Sequence, residues 1–126
     1  NNNDFIEPVI PETIAKSIAI GNPADGLNSV NLVNKTNGTG TSVSEDEIIQ
    51  GIRLLAETEG IFTETAGGVV IASLIKLSRE NKLSPEEKTV CLITGNGLKT
   101  PDVVSNLETL DIDSKANNLE EILSKV

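Results

Sequence analysis

A threonine followed by two closely spaced glycines is the feature of this chain that most suggests a ligand site. The apolar residues 91–93 stop at Thr94, and Gly95, Asn96 and Gly97 follow directly. This pattern is typical of a buried strand that delivers a hydroxyl into a tight turn, where the hydroxyl and backbone N–H groups can bind a small ligand. The alternative is a turn whose glycines supply positive φ angles, and the spacing alone favours neither interpretation.

A second glycine turn contains the carboxylate of Glu64. Residues 61–66 predict a short strand, and Gly67 and Gly68 then open a long apolar helix. The carboxylate could act as a base or orient a ligand, although a solvated carboxylate near a helix N-terminus is the commoner arrangement. The two glycines could cradle an anion or, more commonly, allow close packing. Because both turns follow predicted strands, we expect them to be neighbours.

The other reactive side chains fit surface or core roles. Lys16 and Lys99 lie near the turns, where either could be a Schiff-base nucleophile or an anion contact, but surface lysines are far commoner. Cys91 lies among apolar residues and is predicted to be an inert packed thiol. The turns complete no nucleotide motif, since Leu98 stands where a phosphate loop needs lysine and Thr100 where a dinucleotide loop needs glycine.

Composition excludes several classes of function. The 126 residues carry a net charge of −9, so a nucleic-acid backbone would be repelled. The chain has no histidine, which removes imidazole catalysis, and its one cysteine can form neither an internal disulfide nor a zinc site with histidine. No apolar run is long enough to span a membrane, and we expect a cytoplasmic protein. The absence of methionine favours a piece of a longer polypeptide.

The hydrophobic periodicity predicts an α/β order of elements. Helices are predicted from a cap at Asn22 to about residue 36, from a capping box at Ser44 and Glu47 to Gly60, over residues 68–80, and at the C-terminus over residues 119–126. Strands are predicted at residues 61–66 and 89–94, the second buried on both faces, with a weak third at 39–43. So few strands cannot make a usual sheet, which again favours part of a larger domain.

Three blocks in series carry a resemblance to a known family. They are residues 12–26 (ETIAKSIAIGNPADG), residues 51–68 (GIRLLAETEGIFTETAGG) and residues 94–102 (TGNGLKTPD). Their order and spacing are similar to those of the C-terminal third of threonine synthases, over most of residues 5–104. The tail after about residue 105 has no counterpart.

The resemblance implies a fold, a cofactor and a reaction. Residues 1–126 would be the C-terminal fragment of the large, parallel-sheet, three-layer domain of a pyridoxal-phosphate enzyme of the tryptophan-synthase-β type, with residues 105–126 a polar tail and terminal helix. The whole enzyme, a lyase, would convert O-phospho-L-homoserine and water to L-threonine and phosphate. Its partners would be this small substrate, the remainder of the enzyme chain and, in a possible homodimer, a second copy.

The resemblance also assigns residues. Thr94 would hydrogen-bond the pyridine nitrogen of the cofactor, Glu64, Ala66 and Gly95 would lie beside the ring, and residues 22–26 would form a loop near it. The family's Schiff-base lysine has no counterpart in this chain, so the fragment alone is expected to be inactive. Two alternatives stay open: a related threonine or serine dehydratase, and a non-catalytic module derived from such an enzyme.

Overall fold

A computed structural model describes residues 6–105 and gives three α-helices and three short 3₁₀ turns. The helices are α1 (Gly26–Lys35), α2 (Glu45–Glu59) and α3 (Thr65–Arg79); the 3₁₀ turns are Lys16–Ile18, Gly97–Lys99 and Pro101–Val103. Within residues 6–105 no helix is long and apolar enough to cross a membrane. The predicted terminal helix and nearly all of the polar tail lie outside the described residues.

Helix α2 forms as its sequence predicts. The Ser44 hydroxyl accepts a hydrogen bond from the Glu47 N–H at 3.2 Å, and the Glu47 carboxylate accepts one from the Ser44 N–H at 2.7 Å, which completes the capping box. Gly60 ends the helix in the left-handed region, at φ 67°. Both predicted boundaries are therefore confirmed.

The capping box predicts how stability changes with acid. The hydrogen bond from the Ser44 N–H, helped by Lys76 and Arg79, lowers the pKa of Glu47 below its ordinary value of 4.5. A lowered pKa in the folded state stabilises the fold above pH 4.5, and this contribution is lost as the pH falls through the folded-state pKa. Glu47→Gln keeps a hydrogen-bond acceptor that does not titrate. We therefore expect this variant to lose less unfolding free energy between neutral pH and strong acid than the unmodified protein does.

Chemical denaturation of the native polypeptide at both pH values measures this difference. Glu57→Gln is the matched control, because it removes an exposed carboxylate from the same helix without touching the cap. Equal acid sensitivity of Glu47→Gln and the unmodified protein would contradict the assignment.

Helix α1 starts later than predicted. The residues after Asn22 form a turn, in which the Gly26 N–H donates to the Pro23 carbonyl at 3.2 Å, and the helix begins only at Gly26. At the other end Asn37 takes the left-handed conformation, at φ 52°, and the Gly38 N–H reaches back to the Val33 carbonyl at 2.8 Å. The predicted cap at Asn22 is wrong, whereas the end near residue 36 is confirmed.

Helix α3 starts earlier than predicted, at Thr65 instead of residue 68. It takes over the last residues of the predicted 61–66 strand, of which only Thr63 remains in a β-bridge, antiparallel to Asn96. The first turns of α3 are buried, as their apolar sequence predicts.

The predicted strands are wrong for the part of the chain that the structure describes, and the parallel sheet is not confirmed. Residues 39–43 and 89–94 have no regular structure, and Val90 and Leu92 are 77% and 72% exposed instead of buried on both faces. A strand needs a neighbour to accept and donate its backbone hydrogen bonds, and residues 6–105 supply none beyond the one bridge.

The core is small and lies between α2 and α3. Ala15, Ile48 and Ile52 form its fully buried centre, and Val43, Val69 and other partly buried residues pack around it. The Ile14 N–H donates to the Glu45 carboxylate at 2.8 Å, which ties the segment before α1 to the first turn of α2. Helix α3, which packs against α2 across this core, begins directly after Glu64.

Candidate functional site

Two segments far apart in sequence meet at the start of α3. The carbonyl of Gly95 accepts hydrogen bonds from the Glu64 N–H at 3.1 Å and the Thr63 hydroxyl at 3.0 Å, and the Gly97 N–H donates to the Phe62 carbonyl at 3.0 Å. We call residues 62–64 and 95–97 the two-loop junction. The prediction that the two glycine turns are neighbours is confirmed.

Glu64 is a buried carboxylate at this junction. Its side chain is 6% exposed, and the Lys99 ammonium, whose side chain is 64% exposed, lies 3.5 Å from Oε1. Although Glu64 precedes α3, its side chain does not cap the helix. The alternative interpretation of Glu64, a solvated carboxylate near a helix N-terminus, is therefore wrong.

Gly95 allows the carboxylate of Glu64 to lie against the backbone. A Cβ atom at Gly95 would overlap Glu64 Oε1 and the carboxyl carbon, so any side chain there would displace the carboxylate. Neither Gly95 nor Gly97 has a positive φ, since Gly60 alone does among the glycines of residues 6–105. The interpretation of these glycines as left-handed turn residues is wrong; they are needed for close approach.

The remaining candidate residues surround the junction in sequence. Thr94 is exposed and directly precedes Gly95, and Ala66 is half-buried in the first turn of α3. Cys91 is half-buried in an irregular segment, not packed in a strand. The hydrogen bond from the Glu64 N–H to the Gly95 carbonyl joins two of the predicted site residues, and Thr94 and Ala66 lie next to them in sequence.

Other candidates lie elsewhere or serve packing. Within residues 6–105 no hydrogen bond links the junction to Lys16 or to the loop at residues 22–26. Gly68 faces α2, because a Cβ there would lie 2.7 Å from the Ile48 carbonyl oxygen. The packing role of Gly68 is therefore the one that the contacts support.

Sequence reasoning missed two features of the junction. Thr63, 1% exposed, donates to Gly95, and Lys99 pairs with Glu64 across 35 positions of sequence. In the sequence, each of these residues is only a polar side chain near a glycine turn. That position does not identify the residue with which it interacts. The buried hydroxyls of Thr65 and Thr100 have no hydrogen-bond partner within residues 6–105.

Comparison with known proteins agrees with the resemblance. Residues 1–95 match the family model described as pyridoxal-phosphate dependent enzyme. A threonine synthase of Bacillus sp. (strain ULM1) is 42% identical over 112 residues, which are 89% of this chain and 32% of the relative. Threonine synthases of Methanocaldococcus jannaschii and Mycobacterium tuberculosis (strain CDC 1551 / Oshkosh) are 38% and 40% identical over 98% and 76% of this chain, which are 31% and 27% of each relative.

These matches confirm the resemblance to a threonine synthase portion that was recognised from the three blocks. The chain spans about a third of the length of the curated relatives it matches.

Proposed function

We propose that this chain, which belongs to the family of pyridoxal-phosphate dependent enzymes, is the C-terminal part of a threonine synthase. The whole enzyme would convert O-phospho-L-homoserine and water to L-threonine and phosphate. The observation that carries the proposal is the junction, because three hydrogen bonds hold residues 95–97, directly after Thr94, against residues 62–64, directly before α3. Similarity to threonine synthases over most of the chain supports the choice of reaction.

The residues of the two-loop junction and those directly beside it suit a heteroaromatic ring with one nitrogen acceptor. Thr94 offers an exposed neutral hydroxyl on a backbone that its neighbour Gly95 fixes. Ala66 and Gly95 add small, uncharged surfaces, and the charge of Glu64 is paired with Lys99. We propose that Thr94, Gly95, Glu64 and Ala66 bind the pyridoxal phosphate ring.

When bound, pyridoxal phosphate supplies an electron sink for the substrate. The part of Thr94 in this scheme is to donate its hydroxyl hydrogen to the ring nitrogen. A neutral hydroxyl leaves that nitrogen unprotonated, whereas a carboxylate would favour its protonated form, so Thr94 would moderate the sink. Glu64 would lie beside the ring with its own charge already paired.

The lysine that holds the cofactor covalently would lie outside residues 1–126. Reduction of the native polypeptide with borohydride in the presence of pyridoxal phosphate, followed by peptide mapping, should place the labelled lysine in another part of the enzyme. The matched controls are Lys16→Arg and Lys99→Arg, neither of which should reduce the labelling. A label on Lys16 or Lys99 would contradict this proposal, and no label on any lysine would contradict cofactor binding itself.

The remainder of the enzyme would also complete the fold. Val90 and Leu92 are exposed in a segment that has no backbone partner among residues 6–105, which is what a strand of a larger sheet would leave when its neighbours are missing. We propose that these neighbours belong to the same polypeptide. A cytoplasmic location and a homodimeric assembly stay predictions.

A further inference from the structure

We infer that Lys99 is a positioning residue that neutralises the buried Glu64 carboxylate, so that the turn at Thr94 presents a site without net charge to the cofactor nitrogen. The inference rests on the proposed function, because it concerns the ring that Thr94 would bind. It adds a role for a lysine that is neither the nucleophile nor a substrate contact.

The burial of Glu64 is the first step. A carboxylate that is 6% exposed has lost most of its hydration and needs a partner charge or several hydrogen bonds. Among residues 6–105 the ammonium of Lys99 is the only hydrogen-bond or ion-pair partner of the Glu64 side chain. Lys99 therefore carries the whole charge compensation that the described residues offer.

The position of Lys99 is fixed by the same turn that presents Thr94. Asn96 Oδ1 accepts a hydrogen bond from the Leu98 N–H at 2.9 Å and starts the 3₁₀ turn Gly97–Lys99, whose Lys99 N–H donates to the Asn96 carbonyl at 3.2 Å. The turn begins two residues after Gly95, which the Glu64 carboxylate contacts. The segment of Glu64 and the segment of residues 95–99 are therefore linked by the Glu64–Lys99 side-chain pair as well as by backbone hydrogen bonds.

The charge of this pair bears on the ring nitrogen. A lone carboxylate against Gly95, the residue after Thr94, would favour a protonated, positively charged nitrogen on a ring bound at Thr94, since an opposite charge nearby stabilises the charged form. With the Lys99 ammonium 3.5 Å from the Glu64 carboxylate, the pair has no net charge. The protonation of the ring nitrogen then depends on the hydroxyl of Thr94. Lys99 would then preserve the unprotonated nitrogen that a threonine partner implies.

The experiment uses the native polypeptide loaded with pyridoxal phosphate labelled with ¹⁵N in the ring. The ¹⁵N chemical shift reports the protonation of the nitrogen directly, and a purely structural role of Lys99 would not move it. We expect Lys99→Gln to raise the ratio of protonated to unprotonated nitrogen by at least about tenfold, as one uncompensated charge within several ångströms would. Lys99→Arg should leave the ratio unchanged, and the double variant Glu64→Gln, Lys99→Gln should restore it.

A second measurement needs no cofactor. In thermal unfolding of the unloaded polypeptide, Lys99→Gln should lower the Tm because Glu64 loses its partner, and adding Glu64→Gln should reverse most of that loss. An unchanged ¹⁵N shift in Lys99→Gln, a shift that persists in the double variant, or a Tm loss without reversal would overturn the inference. Unmodified protein that binds no labelled cofactor would instead refute the proposed function.

Discussion

Gly68→Ala is expected to destabilise the native polypeptide by about 2 kcal/mol, through overpacking between α2 and α3. The added Cβ would lie 2.7 Å from both the Ile48 carbonyl oxygen and a side-chain carbon of Ile52. Because one obstacle is backbone, it cannot rotate away, and the helices must separate. Overpacking costs about 1–3 kcal/mol in general, and the upper end applies here before the roughly 1 kcal/mol that alanine gains over glycine in a helix is subtracted.

The free energy of unfolding, measured by chemical denaturation, tests this expectation. Gly40→Ala is the matched control, because a Cβ at Gly40 meets no atom of residues 6–105 within 4 Å and its φ is not positive. Gly51 provides a second site on the opposite helix, where a Cβ would lie 2.6 Å from the Gly68 carbonyl oxygen. Equal stability of Gly68→Ala and Gly40→Ala would show that α2 and α3 are not in close contact at Gly68.

Thr94→Val is expected to lower the rate of threonine formation by about 10- to 100-fold. Valine keeps the shape of threonine and removes the hydroxyl, so the ring nitrogen that Thr94 is proposed to bind would lose its donor. An unpaired buried polar group costs about 1–3 kcal/mol, which corresponds to roughly this change in rate if the loss falls on the transition state. The measurement is kcat of the native polypeptide at saturating cofactor, together with the cofactor Kd.

Thr94→Ser is the matched control for this prediction. Serine keeps the hydroxyl and loses only a methyl group, so most of the activity should remain. Cofactor absorbance should be altered in Thr94→Val and little changed in Thr94→Ser. Full activity of Thr94→Val would remove Thr94 from the site while leaving the family assignment in place.

The helices show what local sequence determines in this chain. The boundaries of α2 follow from the Ser44 and Glu47 capping box and from Gly60, all of which act within one turn of the helix end. The start of α3 was missed because Glu64 is not a usual cap and its side chain turns instead toward Lys99. Its backbone position is set by the hydrogen bond to Gly95, 31 residues away.

The strands show where local sequence is insufficient. The apolar residues 89–94 have strand propensity, but a strand exists only when another chain segment pairs with it. In residues 6–105 that pairing is limited to Thr63 and Asn96. The sequence places Gly95 and Gly97 in a turn beside Thr94, but their close approach to Glu64 and Phe62 depends on contacts that sequence spacing does not reveal.

We propose that this chain is part of an enzyme that makes threonine from O-phospho-L-homoserine with pyridoxal phosphate. The direct test is to supply O-phospho-L-homoserine to the native polypeptide, with and without the cofactor, and to quantify threonine and phosphate. The account predicts equal amounts of both products, formed only with the cofactor. Release of ammonia and 2-oxobutanoate from threonine, with no phosphate released from O-phospho-L-homoserine, would contradict it.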